Sequence, residues 1–125
     1  MCLRGISGVL SACLVTAALL LAQSVMAVEP GSVEPEAAKT MVQQQKALVI
    51  LDVRNPNEFV MAHYPGALNI PVNDLEMRFS EVPAGRPVLV HCGLGKRAKR
   101  GYEILKEKRP EIKELYYIKG NTIFH

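Results

Sequence analysis

Two short runs constrain this chain more than anything else in it. Ala47 to Val53 and Pro87 to His91 are apolar almost without interruption and rich in β-branched residues. Neither alternates polar with apolar, so both faces of each run must be covered. That pattern belongs to strands inside a parallel sheet, and each run is followed by a helix-start signal. After the first, Asn55-Pro56-Asn57-Glu58 places an N-cap, a proline in the first turn and a glutamate at the capping-box position. After the second comes Cys92-Gly93-Leu94-Gly95 and then a helical pattern from about Arg97 to Lys108, with Ala98, Tyr102, Ile104 and Leu105 for its inner side and Arg109-Pro110 as its stop. Strands that alternate with helices make an α/β domain with a mainly parallel sheet.

The remaining elements are shorter. Ala37, Ala38, Met41 and Val42 recur at helical spacing and predict a helix over 35–45. The helix opened by Asn55 is expected to end near His63. Tyr64-Pro65-Gly66 reads as a turn, Ala67 to Ile70 as a short strand, and Asn73 to Phe79 as a helix capped by Asn73 or Asp74. Val82 to Arg86 reads as loop, and Leu115 to Ile118 as a last strand before a Gly120-Asn121 turn.

Residues 1–27 have a different character. Arg4 precedes a mostly apolar stretch from Val9 to about Ala22, and Val25-Met26-Ala27 offers small residues before a cut. This is the layout of a secretory signal peptide, and cleavage is expected after Ala27. The alternative is an uncleaved anchor, since Ile6 to Val28 is just long enough to cross a bilayer. Either way the domain is exported, to the periplasm, with the membrane involved only if the signal stays. Residues 28–34, rich in Pro, Gly, Ser and Glu, read as a linker, and 35–125 as one domain, expected to be a monomer.

Removal of residues 1–27 takes Cys2 and Cys13 away and leaves Cys92 alone, in a compartment that favours disulfides. A lone thiol there is either reactive or intermolecular, or else a small buried hydrophobe. Its neighbours bear on the choice. Gly93 and Gly95 allow positive φ, so that successive amides can face one concavity as an anion nest. The next helix adds its positive end, and Lys96, Arg97, Lys99 and Arg100 follow at once. Such a field favours a thiolate. Arg97 is the best placed to grip an oxyanion, because a guanidinium matches it bidentately. The formal net charge of +3 is too weak for a nucleic-acid partner. No Cys/His cluster has zinc spacing, and GLGKRA lacks the spacing and the Ser/Thr of a nucleotide P-loop.

The ordered set Asp52-Val53-Arg54, Glu58-Phe59, His63-Tyr64-Pro65-Gly66-Ala67 and Val90-His91-Cys92-Gly93-Leu94-Gly95-Lys96-Arg97-Ala98 resembles the rhodanese-like sulfurtransferase family, in particular its small single-domain exported members. The resemblance implies a rhodanese-like fold, a central mainly parallel sheet with helices on both faces. It also implies that Cys92 is the nucleophile and carries sulfane sulfur as a persulfide. Gly93, Leu94, Gly95, Lys96 and Arg97 would bind a small anionic donor such as thiosulfate, and a thiophilic acceptor such as cyanide would discharge it, with no cofactor. A persulfide carrier for a partner protein is the alternative. Phosphatase relatives have a longer loop; here four residues separate Cys92 from Arg97. The family often closes with a further helix, which a sequence that stops at His125 is expected to lack. Asp52, Arg54 and Glu58 read as an ion-pair and capping network rather than acid/base groups. His63 reads as structural, and His91 as pointing away from the loop because strand neighbours alternate.

Overall fold

The computed structural model describes residues 29–121. The leader segment read at 1–27 and the last residues, 122–125, lie outside the described residues. No helix among the described residues is long and apolar enough to cross a membrane.

The two apolar runs become neighbouring central strands. Strand β2 (Val49–Asp52) and strand β4 (Val88–His91) are buried at every position. They pair in parallel, with Leu51 opposite Val90 and Asp52 opposite His91. The sheet is completed by β1 (Gly31–Val33), β3 (Leu68–Asn69) and β5 (Leu115–Ile118), in the order β1-β5-β4-β2-β3 with every pairing parallel.

Each face of the sheet has its own core. Helix α3 (Val72–Arg78) and helix α4 (Lys96–Lys108) cover one face. There Leu51, Val53, Leu75, Val88, Val90, Ala98, Ile104 and Leu105 form one cluster. Helix α1 (Pro35–Gln44) covers the other, with Ala38 and Met41 against Val33, Leu89, Tyr116 and Ile118. Full burial of a Leu or Ile side chain contributes roughly 1.5–3 kcal/mol, so Ile104 and Leu105 alone hold α4 firmly to the sheet. At its end Arg109, itself buried, donates from Nη1 to the carbonyls of Phe79 and Val82, each at 2.7 Å, and pairs with Glu111. The C-terminus of α4 is thereby tied to a turn of 3-10 helix at Phe79–Glu81.

Three local readings change. Residues 28–34 read as a linker, yet Gly31–Val33 form an edge strand on β5, and the Lys119 amide donates to the Val33 carbonyl at 2.9 Å. The partner strand comes from the far end of the chain, and local composition carries no trace of it. Helix α3 starts at Val72 behind Pro71, not behind Asn73 or Asp74. The Val72 amide is taken by the Val53 carbonyl at 3.1 Å and its side chain by the core, so tertiary contacts set the start. Helix α2 (Pro56–Met61) stops short of His63. His63 instead stacks on Phe59 at 3.8 Å between ring centroids, with Nδ1 2.8 Å from the Phe59 carbonyl oxygen, which fits a structural residue.

Candidate active site

From β2 the chain moves outward to β3, then returns to the other side of β2 to form β4 and β5. The order reverses between β2 and β4, and in open parallel sheets ligands bind beyond the carboxyl ends of the strands at such a point. Two segments leave the sheet there: 53–58 after β2 and 92–97 after β4.

Cys92 directly follows β4. The residue is 2% exposed and is packed with the α3/α4 core; His91 precedes it on the strand, where neighbouring side chains alternate between faces. The Cys92 Sγ accepts the Gly95 amide at 3.0 Å and the Ala98 amide at 3.2 Å. Ala98 is the third residue of α4, so its N–H is one of the four a helix leaves unsatisfied at its start. A sulfur that receives two amide hydrogens at a helix N-terminus is held as an acceptor.

The loop is tighter than expected. Lys96 and Arg97 already belong to the first turn of α4, and Gly95 is its N-cap. Of the two glycines only Gly95 takes positive φ, at 93°. A Cβ there would stand 2.6 Å from the Gly120 amide nitrogen and 3.3 Å from the Ile118 carbonyl oxygen. Gly93 keeps an ordinary φ; its lack of a side chain leaves room beside the Arg97 guanidinium, 3.6 Å from where a Cβ would lie. Leu94, at the tip, is 74% exposed, and Lys96 is exposed as well.

Arg97 points across the site to α2. Its Nη1 donates to Glu58 Oε2 at 2.7 Å and its Nη2 to Glu58 Oε1 at 3.3 Å. Glu58 Oε2 also accepts the Asn55 amide at 3.1 Å, so one carboxylate caps α2 and occupies the arginine fork. The hydrogen bond from Arg97 holds the Glu58 carboxyl below its usual range, against partial burial, and the Asn55 amide adds to it. The same bond raises Arg97, and the neighbouring Cys92 adds to that. The expected ion-pair and capping network is present: the Asp52 carboxylate accepts the Arg54 amide at 2.9 Å and Arg54 Nη2 at 2.7 Å, and Arg54 Nη2 also reaches the Ala62 carbonyl at 2.7 Å. Asn69 Nδ2 bridges the Asp52 and Arg54 carbonyls, each at 3.0 Å.

His91 is buried, with Nε2 3.5 Å from Asp52 Oδ2. Burial pushes its pKa down to about 4; the Asp52 charge opposes this and Arg54 reinforces it. It is neutral near pH 7 and supplies no charge to Cys92.

Six site residues were expected. Cys92, Gly93, Leu94, Gly95 and the base of Lys96 and Arg97 do form one loop-and-helix turn. Ala98 and Glu58 were missed as members of the site. Ala98 had a signal, its place in the first turn of the helix; the Glu58–Arg97 contact spans two elements and had none. No group of three or more His, Cys, Asp and Glu among the described residues is arranged to hold a metal ion. A cavity of about 240 Å³, lined by Val42, Leu48, Ile50 and Tyr64 among others, involves none of these loop residues.

The rhodanese-like domain family model matches residues 34–121. The chain belongs to the rhodanese-like domain family. Among curated relatives it is 37% identical over 71 residues to YqhL of Bacillus subtilis, covering 57% of this chain and 55% of that protein. It is 32% identical over 59 residues to the thiosulfate sulfurtransferase PspE of Escherichia coli, covering 46% of this chain and 57% of that protein. The chain thus spans little more than half the length of either relative. Among solved structures, the rhodanese-like domain of the Anabaena protein Alr3790 superimposes with a TM-score of 0.63 at 23% identity, over 75% of this chain and 70% of that one. The rhodanese-like fold, a parallel sheet with helices on both faces, is therefore the one expected from the sequence.

Proposed function

We propose that this chain moves sulfane sulfur through a persulfide on Cys92, from a donor such as thiosulfate to cyanide or another thiophilic acceptor. The observation that carries the reading is the pair of amides, Gly95 and Ala98, that converge on Sγ. In the loading step the Cys92 thiolate attacks the outer sulfur of thiosulfate. The Sγ–S bond forms, the donor S–S bond breaks, and its electron pair leaves on sulfite. The two amides point at Sγ, so they stabilise the thiolate that attacks and that discharge regenerates, in the manner of an oxyanion hole. Discharge to cyanide breaks the new bond, gives thiocyanate and returns the thiolate. Cys92 is the free cysteine among the described residues, so no neighbouring thiol there resolves the persulfide as a disulfide. Kinship with a protein named thiosulfate sulfurtransferase supports the same chemistry.

A second reading keeps the persulfide and drops the turnover: a sulfur carrier that unloads to a partner protein. It is favoured by one observation, that the Arg97 fork expected to bind a small anion is already occupied by Glu58. We propose further that the domain works in the periplasm, exported behind a leader of residues 1–27, so that N-terminal sequencing of the periplasmic fraction should begin at Val28.

Incubation with thiosulfate should raise the intact mass by about one sulfur atom, with peptide mapping that places it on Cys92. Cyanide should remove it as thiocyanate, and Cys92→Ser should take up no sulfur, because a hydroxyl cannot carry it. Release of phosphate from an aryl phosphate with no sulfur on Cys92 would favour a phosphatase instead. A stable persulfide that small acceptors leave in place would favour the carrier.

A further inference from the structure

The geometry points to Glu58 as the residue that sets donor preference: by occupying Arg97 it turns the site away from dianionic donors such as thiosulfate and toward alkyl persulfides that bring one charge at most. The inference rests on the sulfur-transfer reading and specifies its substrate class.

Arg97 is the guanidinium that the first turn of α4 carries to the mouth of the loop, and each of its terminal nitrogens donates a hydrogen bond to the same carboxylate. That carboxylate is 42% exposed, but it has a second hold on the fold. It is anchored from below by the Asn55 amide at the start of α2, and the charge of Arg54 also favours its ionised form. A donor that needs Arg97 must therefore displace the carboxylate or share the guanidinium with it, and in the second case the Glu58 charge already offsets the positive charge the donor seeks.

The two donor classes differ in how much they need the arginine. Thiosulfate brings two negative charges and releases sulfite with two. Both the bound donor and the departing group call for a guanidinium. An alkyl persulfide, R–S–SH, needs none. The Cys92 thiolate attacks its outer sulfur, the Sγ–S bond forms, the S–S bond breaks, the electron pair leaves on R–S⁻, and the proton stays on the transferred sulfur. The loop amides and the helix N-terminus suffice for a product of one charge. Leu94, exposed at the loop tip, offers an apolar edge to the R group rather than another cation.

Glu58→Gln is the informative variant. A glutamine still accepts the Asn55 amide, so the cap survives, but it no longer neutralises Arg97. The experiment loads Cys92 with sulfur from thiosulfate and, separately, from the persulfide of 2-mercaptoethanol, at low ionic strength, and follows both by intact mass. The ratio of the thiosulfate to the persulfide loading constant should rise roughly tenfold in Glu58→Gln, the scale of one new charge-assisted hydrogen bond, and the rise should shrink as salt is added. Arg97→Ala in the Glu58→Gln background should cancel it. An unchanged or lower ratio in Glu58→Gln, or a rise that persists without Arg97, would overturn the role of Glu58 while sulfur transfer stood. Failure of both donors to load Cys92 in the wild-type protein would remove the sulfur-transfer reading and this inference with it.

Discussion

At the scale of single residues, the site depends on one backbone conformation. Gly95 takes φ of 93° so that its amide can turn toward Cys92 Sγ, and the chain after β5 closes over it until no Cβ fits. Any other L-residue faces a left-handed backbone and a clash with backbone atoms that cannot rotate away. Gly95→Ala should lower the unfolding free energy by roughly 2–4 kcal/mol, combining backbone strain with overpacking. Sulfur loading should fall more than stability requires, because the Gly95 amide leaves Sγ. Urea titration beside the loading assay separates the two effects. Gly93 has neither constraint, and a Cβ there would come within 4 Å of the Arg97 guanidinium alone.

At the scale of elements, α4 does two tasks: its first turn supplies the Ala98 amide and Arg97, and its inner face fixes that turn against β4. The approach is close at Gly101, where a Cβ would come 3.1 Å from Val90 Cγ1 and 3.2 Å from Val53 Cγ1. Helix propensity favours alanine there by about 1 kcal/mol. Packing opposes it, since Val90 and Val53 are both fully buried and β-branched side chains are stiff at χ1. Overpacking of this kind costs about 1–3 kcal/mol, so packing wins. Gly101→Ala should be a net loss of about 1 kcal/mol in chemical denaturation, with the helix pushed off β4 and slower sulfur loading as the functional trace. A result more stable than wild type would mean that the two valines can yield.

At the scale of the whole molecule, pH is expected to act through the buried pair at the centre of the sheet. The folded-state pKa of His91 is lowered to about 4 from an ordinary 6.5. The unfolded chain therefore binds the extra proton first as pH falls. The stability linked to a neutral His91 is complete above about pH 6.5 and is lost progressively as pH drops through that window toward 4. The shift corresponds to about 3 kcal/mol, a large share of a small domain's stability. The Glu58 carboxyl also lies low, but it is 42% exposed and its pair is screened, so it adds little and only below the usual carboxylate range. Unfolding free energies measured between about pH 7 and pH 4 should fall mostly above about pH 4.5, and His91→Gln should flatten that part of the curve. A flat profile in the wild-type protein would show that the imidazole is not held neutral.

The features legible in the sequence lie within reach of a few residues. Asn55-Pro56-Asn57-Glu58 specifies the start of α2, Arg109-Pro110 the end of α4, and the uninterrupted apolar runs the two central strands, because caps, proline and burial on both faces act over one or two turns. The same locality made Cys92 and its glycine turn visible as a site. The features that folding alone settles join segments far apart in the chain. Gly31–Val33 is a strand because β5 is there to pair with it. Helix α3 begins at Val72 because Val53 takes its amide. Only glycine fits at position 95 because Gly120 closes over it. Arg97 faces Glu58 because the α2 and α4 starts meet where β2 and β4 end. The geometry of such contacts is fixed only when the sheet closes, and no window of the sequence contains both partners.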